Sequence, residues 1–141
     1  MKKLQTGYTL IEVMVAVAIV AIVSAVAVPA YTSYVKRGRL TEAFTGLGAG
    51  HSAAEQFWAN NRTYAGFDAA SSFPKAGPNF TFALSNATAS AYTLTATGKD
   101  TMAGFVYTID QSGNRTTVST GDGMGTSTTC WVDKSGGKCT N

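Results

Sequence analysis

Residues 8–35 read YTLIEVMVAVAIVAIVSAVAVPAYTSYV, and from Val13 to Val35 no charged residue interrupts them. At about 1.5 Å per helical residue, this stretch is long enough to cross a hydrocarbon core of about 30 Å. In water such a helix would need covering on every side, and a chain of 141 residues has too little else to cover it. The segment is therefore read as a transmembrane helix. The preceding MKKLQTG carries Lys2 and Lys3, which hold the N-terminus on the cytoplasmic side and export everything after the span. A secretory signal peptide is the competing reading. Against it, Glu12 stands at the edge of the apolar run and no clean A-x-A-like site follows. Gly7-Tyr-Thr-Leu-Ile-Glu12 also separates the basic stub from the apolar residues.

The rest of the composition excludes most enzymes. Charged residues are 13% of the chain, about half the usual share, while 45% hydrophobic content rules out a disordered chain. One His and two Cys cannot build a multi-ligand metal site of those types, and they leave few acid–base arrangements. Asp100, Asp110, Asp122 and Asp133 are scattered across turn signals without paired spacing. No G-x-x-x-x-G-K-[ST] loop is present, so any ATP used belongs to a partner. The expectation is a non-enzyme with no cofactor and no metal.

Beyond the span, Leu40, Phe44, Leu47, Ala54 and Trp58 recur at helical spacing, so the helix continues outward with one apolar stripe. From Tyr8 to about Asn60 it would run roughly 80 Å. Gly46, Gly48 and Gly50 interrupt the stripe, marking either a softened segment or close packing against a sheet. His51 falls on the same stripe and reads as a core or boundary histidine. Residues 61–79, with Pro74, Pro78, Gly66 and Gly77, form a connecting loop packed by Tyr64, Phe67 and Phe73. Short strands are predicted over Phe80–Leu84, Ala91–Thr97, Gly104–Ile109 and Arg115–Val118, with alternating apolar and Thr residues. The fold class is α+β: a long helix on a small antiparallel sheet of about four strands.

MKKLQTG-YTLIEVMVAVAIVAIVSAVAVPAYTSYVKRG resembles the start of type IV pilin precursors of the short-leader class. The resemblance implies a cleaved leader over residues 1–7, a transmembrane and polymerisation helix over 8–35, and a periplasmic globular domain over 36–141. It implies cleavage between Gly7 and Tyr8 by a prepilin peptidase, which also methylates Tyr8, where the family most often has Phe. Glu12 becomes the fifth mature residue, and Pro29 matches the family's helix-kinking proline. Physics points the same way for Glu12. A carboxylate beside an apolar helix is expensive in lipid and is retained when it finds a partner; the resemblance implies that this partner is the Tyr8 amine of a neighbouring subunit. Loss of Lys2 and Lys3 lowers the formal charge from +3 and leaves 9 basic against 8 acidic side chains.

The tail from Ser119 is rich in Gly and Thr and contains Cys130 and Cys139. In an exported domain, two cysteines this close read as a disulfide. MAGFVYTIDQSGNRTT followed by CWVDKSGGKC looks most like minor pilins of the PilE and ComP type, in which a C-terminal disulfide loop staples the tail to the sheet. The second cysteine pair of many members is missing here. Three roles follow from the resemblance. The chain is read first as a structural subunit of a type IV pilus, in the inner membrane before assembly and in the extracellular filament after it. Its partners would be other pilin subunits, the peptidase, an assembly platform, an ATPase and a secretin. The second role is a DNA-receptor minor pilin, for which Lys134, Lys138, Arg115 and Lys99 are the candidate phosphate contacts. The third is a secretion pseudopilin. N-x-T sequons at Asn61, Asn79, Asn86 and Asn114 are read as coincidences of a Thr-rich sequence.

Overall fold

The computed structural model describes residues 7–140. Residues 1–6 of the expected leader lie outside the described residues. Among the described residues there is one α-helix, α1 (Leu10–Asn61), followed by strands β1 (Phe80–Ser85), β2 (Thr93–Gly98), β3 (Val106–Asp110) and β4 (Arg115–Ser119), with two single-turn 3-10 helices in the connections. It divides into two units, the residues up to Val35 and those from Lys36 onward.

In the first unit the helix begins at Leu10 rather than at Tyr8, because Thr9 caps it. The Thr9 hydroxyl accepts the Glu12 N–H at 3.3 Å, and the Thr9 carbonyl accepts that of Val13 at 3.3 Å. Thr-Leu-Ile-Glu has the spacing of a capping box, and Glu12 places its charge against the positive end of the helix dipole. Pro29 lies inside the helix and has no N–H to give, while the Thr32 hydroxyl donates to its carbonyl at 3.0 Å. The helix is long and apolar enough to cross a membrane. Its large side chains are exposed: Leu10 is 79% exposed, Val26 72% and Tyr34 72%.

The second unit is built on the outer half of α1. Its buried seam is Leu40, Ala43, Leu47, Gly50 and Ala54, in steps of three and four that keep one face inward. Phe44 and Trp58, expected on this stripe, flank the seam and are partly buried. The helix stops where Arg62 adopts φ 57° and its N–H reaches the Trp58 carbonyl at 2.7 Å. Its guanidinium then lies 5.2 Å from the centroid of the Trp58 ring.

The four strands form an antiparallel meander in the order β1-β2-β3-β4. Phe80, Leu94, Ala96, Tyr107 and Ile109 point inward onto the seam and are buried. Thr81 pairs with Thr97, and Thr108 pairs with Thr95 on one side and Thr116 on the other, so the outer face is a field of hydroxyls. β3 starts at Val106, two residues later than expected. Gly104 sits at φ 87°, which ends any extended run, and a bulge follows between Val106 and Tyr107.

Of the four glycines in α1, Gly46, Gly48 and Gly50 divide by environment along the outer half. A Cβ on Gly46 would overlap the tip of the Phe82 ring, 2.1 Å from Cζ, and one on Gly50 would lie 2.5 Å from Leu94 Cδ2 and 2.6 Å from Pro74 Cγ. Gly48 faces open space. The first two permit the sheet's close approach; the third only weakens the helix. Gly48→Ala should therefore stabilise the domain by up to about 1 kcal/mol. Gly50→Ala should destabilise it by about 1–3 kcal/mol through overpacking, despite the same gain in helix propensity. Urea unfolding of both variants is the check, and equal responses would show that the seam is not tightly packed.

Candidate functional site

The segment after β4 has little regular structure, yet it is fixed to the sheet by polar side chains. Ser127 forms an isolated bridge with Thr117 and so covers the outer edge of β4. Thr117 is 2% exposed; its hydroxyl donates to the Cys130 carbonyl at 2.9 Å and accepts the Val132 N–H at 2.8 Å. The Tyr107 hydroxyl donates to the Val132 carbonyl at 2.9 Å, and burial pushes that phenol well above its ordinary range. Trp131 is buried, gives its indole N–H to the Thr108 carbonyl at 2.8 Å, and stacks on Phe44 with centroids 5.3 Å apart. The opposite partner is charged: the Arg115 guanidinium lies 4.6 Å from the Trp131 ring centroid.

Cys130 and Cys139 form a disulfide with Cα atoms 6.2 Å apart. Inside it the Asp133 and Lys134 N–H groups both donate to the Lys138 carbonyl, at 3.1 and 3.2 Å. Gly136 and Gly137, at φ 78° and 70°, supply the left-handed turn that closes this small hairpin. The Gly137 N–H reaches the Met124 carbonyl at 2.7 Å, which ties the loop down. Lys134 and Lys138 are thereby set opposite each other and exposed. Like charges in opposed positions repel. Neither has a carboxylate partner, since the ion pair among the described residues joins Lys36 to Asp122.

The four candidate phosphate contacts do not form one patch. Lys134 and Lys138 are brought together, but Arg115 and Lys99 stand at opposite ends of the sheet. Arg115 opens β4 beside Ile109, whereas Lys99 lies in the β2–β3 connection at the Val106 end. A five-residue strand separates those ends by about 17 Å. Lys99 has another role, because its charge falls on Glu42. The Glu42 carboxylate accepts the Asn79 N–H at 3.1 Å, the Asn79 side-chain amide at 2.6 Å and the Phe80 N–H at 2.9 Å, clamping the start of β1 to α1. Nothing in the helical periodicity marks Glu42 as more than a solvated acid, so the sequence reading missed it.

His51 lies at the edge of the core with Nδ1 2.6 Å from the Tyr92 hydroxyl. Tyr64 packs against Tyr92 and donates to Glu55 at 2.8 Å. Burial first, then that hydrogen bond and the Glu55 charge, push the Tyr64 phenol up to about 12. Among the described residues no cluster of His, Cys, Asp and Glu is placed to hold a metal ion.

The family described as "Type IV minor pilin ComP, DNA uptake sequence receptor" matches residues 29–106, more than half of the chain. The chain belongs to the ComP minor pilin family. The prokaryotic N-terminal methylation motif matches residues 2–28, which with the apolar helix fits a membrane-anchored pilin that enters an extracellular pilus. This is a family of pilins, not of enzymes. Fimbrial protein EcpC of Eikenella corrodens is 37% identical over 70 residues, 50% of this chain and 46% of that one. The type IV major pilin PilE1 of Neisseria gonorrhoeae is 42% identical over 72 residues, 47% of this chain and 44% of that one. The chain thus spans less than half the length of these relatives. The minor pilin PilV of Neisseria meningitidis superposes with a TM-score of 0.54 at 23% identity, over 63% of this chain and 92% of that one, which shows a shared fold.

The Glu42 clamp has a pH signature. Burial alone would raise this carboxyl, but hydrogen bonds from Asn79 and Phe80 and the charge of Lys99 hold it below its ordinary 4.5. Its stabilisation is present above that value and is lost as pH falls through the lower, folded-state one. Melting temperature should therefore drop between about pH 5 and pH 3. Glu42→Gln should lower it at neutral pH and flatten the acid limb. An unchanged acid limb would show that Asp110, also held below its ordinary range, dominates instead.

Proposed function

We propose that this chain is a minor pilin that assembles through its N-terminal helix into a type IV pilus. One observation carries the reading: the large apolar side chains from Leu10 to Tyr34 are exposed all round, with Glu12 as the sole charge among them. Only lipid, and then the helices of other subunits, would cover such a surface. In this reading a prepilin peptidase cuts after Gly7, Tyr8 becomes the methylated N-terminus, and the protein waits in the inner membrane with that end cytoplasmic. A platform, an ATPase and a secretin then move it outward. Glu12 selects the docking position by pairing with the Tyr8 amine of a neighbour, since a carboxylate in lipid gains from any partner. Pro29 softens the helix where subunits pack.

Mass spectrometry should find an N-methylated Tyr8 as the first residue. Glu12→Ala should leave processing and membrane insertion intact but lower recovery in sheared filaments by at least about tenfold, the equivalent of one buried charge partner. Normal incorporation would reduce Glu12 to its local role against the helix N-terminus.

A second reading is favoured by the family's description and by the paired lysines: the assembled pilin carries a DNA contact. The weak overall charge argues that the domain by itself binds duplex DNA only loosely. Gel-shift titration at near-physiological salt should show weak binding that steepens as salt falls. Tight binding abolished by Lys134→Glu with Lys138→Glu would promote the receptor reading above the structural one.

A further inference from the structure

Between the β3–β4 turn and the segment leading into Cys130 the surface opens into a cleft of about 390 Å³, lined by Gly113, Asn114, Arg115, Thr128 and Thr129. Its size is that of a small-molecule site rather than of a single ion. Arg115 is held in place, because one face of its guanidinium rests on Trp131, itself stacked on Phe44. Stacking occupies the face of that planar group and leaves its edge N–H donors unspent. The carboxylate of the same turn, Asp110, is engaged elsewhere. Its Oδ1 accepts the Ser112 and Asn114 N–H groups at 2.9 and 3.0 Å, and its Oδ2 accepts the Asn114 side-chain amide at 2.8 Å. That last bond uses the Asn114 amide nitrogen and leaves its carbonyl oxygen as an acceptor. The cleft therefore offers one cation with forked donors, the Thr128 hydroxyl, the remaining capacity of the Thr129 hydroxyl beside its 3.3 Å bond with Ser127, and an amide carbonyl.

We propose that this cleft binds an acidic saccharide, with Arg115 bidentate on the carboxylate and Thr128, Thr129 and Asn114 on ring hydroxyls. A single positive charge suits a monoanion, and the fork geometry of arginine matches a carboxylate. A bare oxyanion would leave the carbonyl acceptor without a donor; a hydroxylated sugar supplies one. The site lies in the second unit, whereas the surface proposed for assembly belongs to the first.

The test uses the full chain in detergent micelles with glucuronate as probe, read by saturation-transfer NMR on the ligand. Glucuronate should bind, with glucose and inorganic phosphate weaker by at least about tenfold, the worth of a charge-assisted hydrogen bond. Arg115→Lys, which loses the fork, should weaken glucuronate binding about tenfold. Thr128→Val should weaken it while leaving the Arg115–Trp131 stack untouched, which separates recognition from folding. Glucose binding as tightly as glucuronate, phosphate binding as tightly, or affinity unmoved by both variants would each overturn the proposal. None of these readouts depends on filament assembly.

Discussion

Along the outer half of α1, Leu40, Ala43, Leu47 and Ala54 are each at most 1% exposed, and keeping water from that seam organises everything that follows it in the chain. A side chain of Leu size gains about 1.5–3 kcal/mol from full burial, so the seam and the inner strand face stabilise each other only if they touch along their length. Gly46 and Gly50 permit this contact by omitting the atoms that would hold Phe82, Leu94 and Pro74 away. Phe80, Leu94, Tyr107 and Ile109 then point inward, one or two from each of three strands, and the alternation of the sheet sends Thr residues to the solvent side.

This part of the fold was legible because it rests on periodicity. Steps of three and four gave the helix, alternation with threonine gave the strands, and Gly98 and Gly113 fell near the turns that separate them. The errors came at ends, where one or two local groups decide. The helix starts at Leu10 rather than at Tyr8 because the Thr9 hydroxyl caps it by accepting the Glu12 N–H, a signal present in Thr-Leu-Ile-Glu but overlooked. Gly104 ends the strand that its neighbours suggested, since its positive φ serves a turn. His51 landed at the boundary, with its Nδ1 against the Tyr92 hydroxyl.

The tail was legible only as a disulfide. Its attachment depends on single polar atoms, Thr117 Oγ1, Tyr107 Oη and the Trp131 indole N–H, and such pairs leave no periodic trace. The buried hydroxyl of Thr117 is not wasted, because it both donates and accepts and leaves no orphaned group behind. The same reasoning explains why the grouping of Arg115 with Lys99 failed. Sequence charge counts cannot tell that β3 and β4 carry the two residues to opposite ends of one sheet, nor that the Arg115 guanidinium lies over an indole ring.

That separation has a consequence for what the exposed domain can recognise. Nine basic and eight acidic side chains follow Gly7, and Lys36 is already neutralised by Asp122. A domain so balanced cannot draw in a polyanion through a broad field. Recognition falls to short-range features instead. One is the lysine pair forced together by the disulfide hairpin, and another is the arginine pinned over Trp131 beside a polar cleft. Both are preorganised by covalent or packed structure rather than by charge density, so their contacts incur little ordering entropy on binding. The apolar helix surface from Leu10 to Tyr34 has the opposite character, with large area and almost no polar detail. In the proposed reading, assembly on such a surface is set by burial and by the one carboxylate at Glu12.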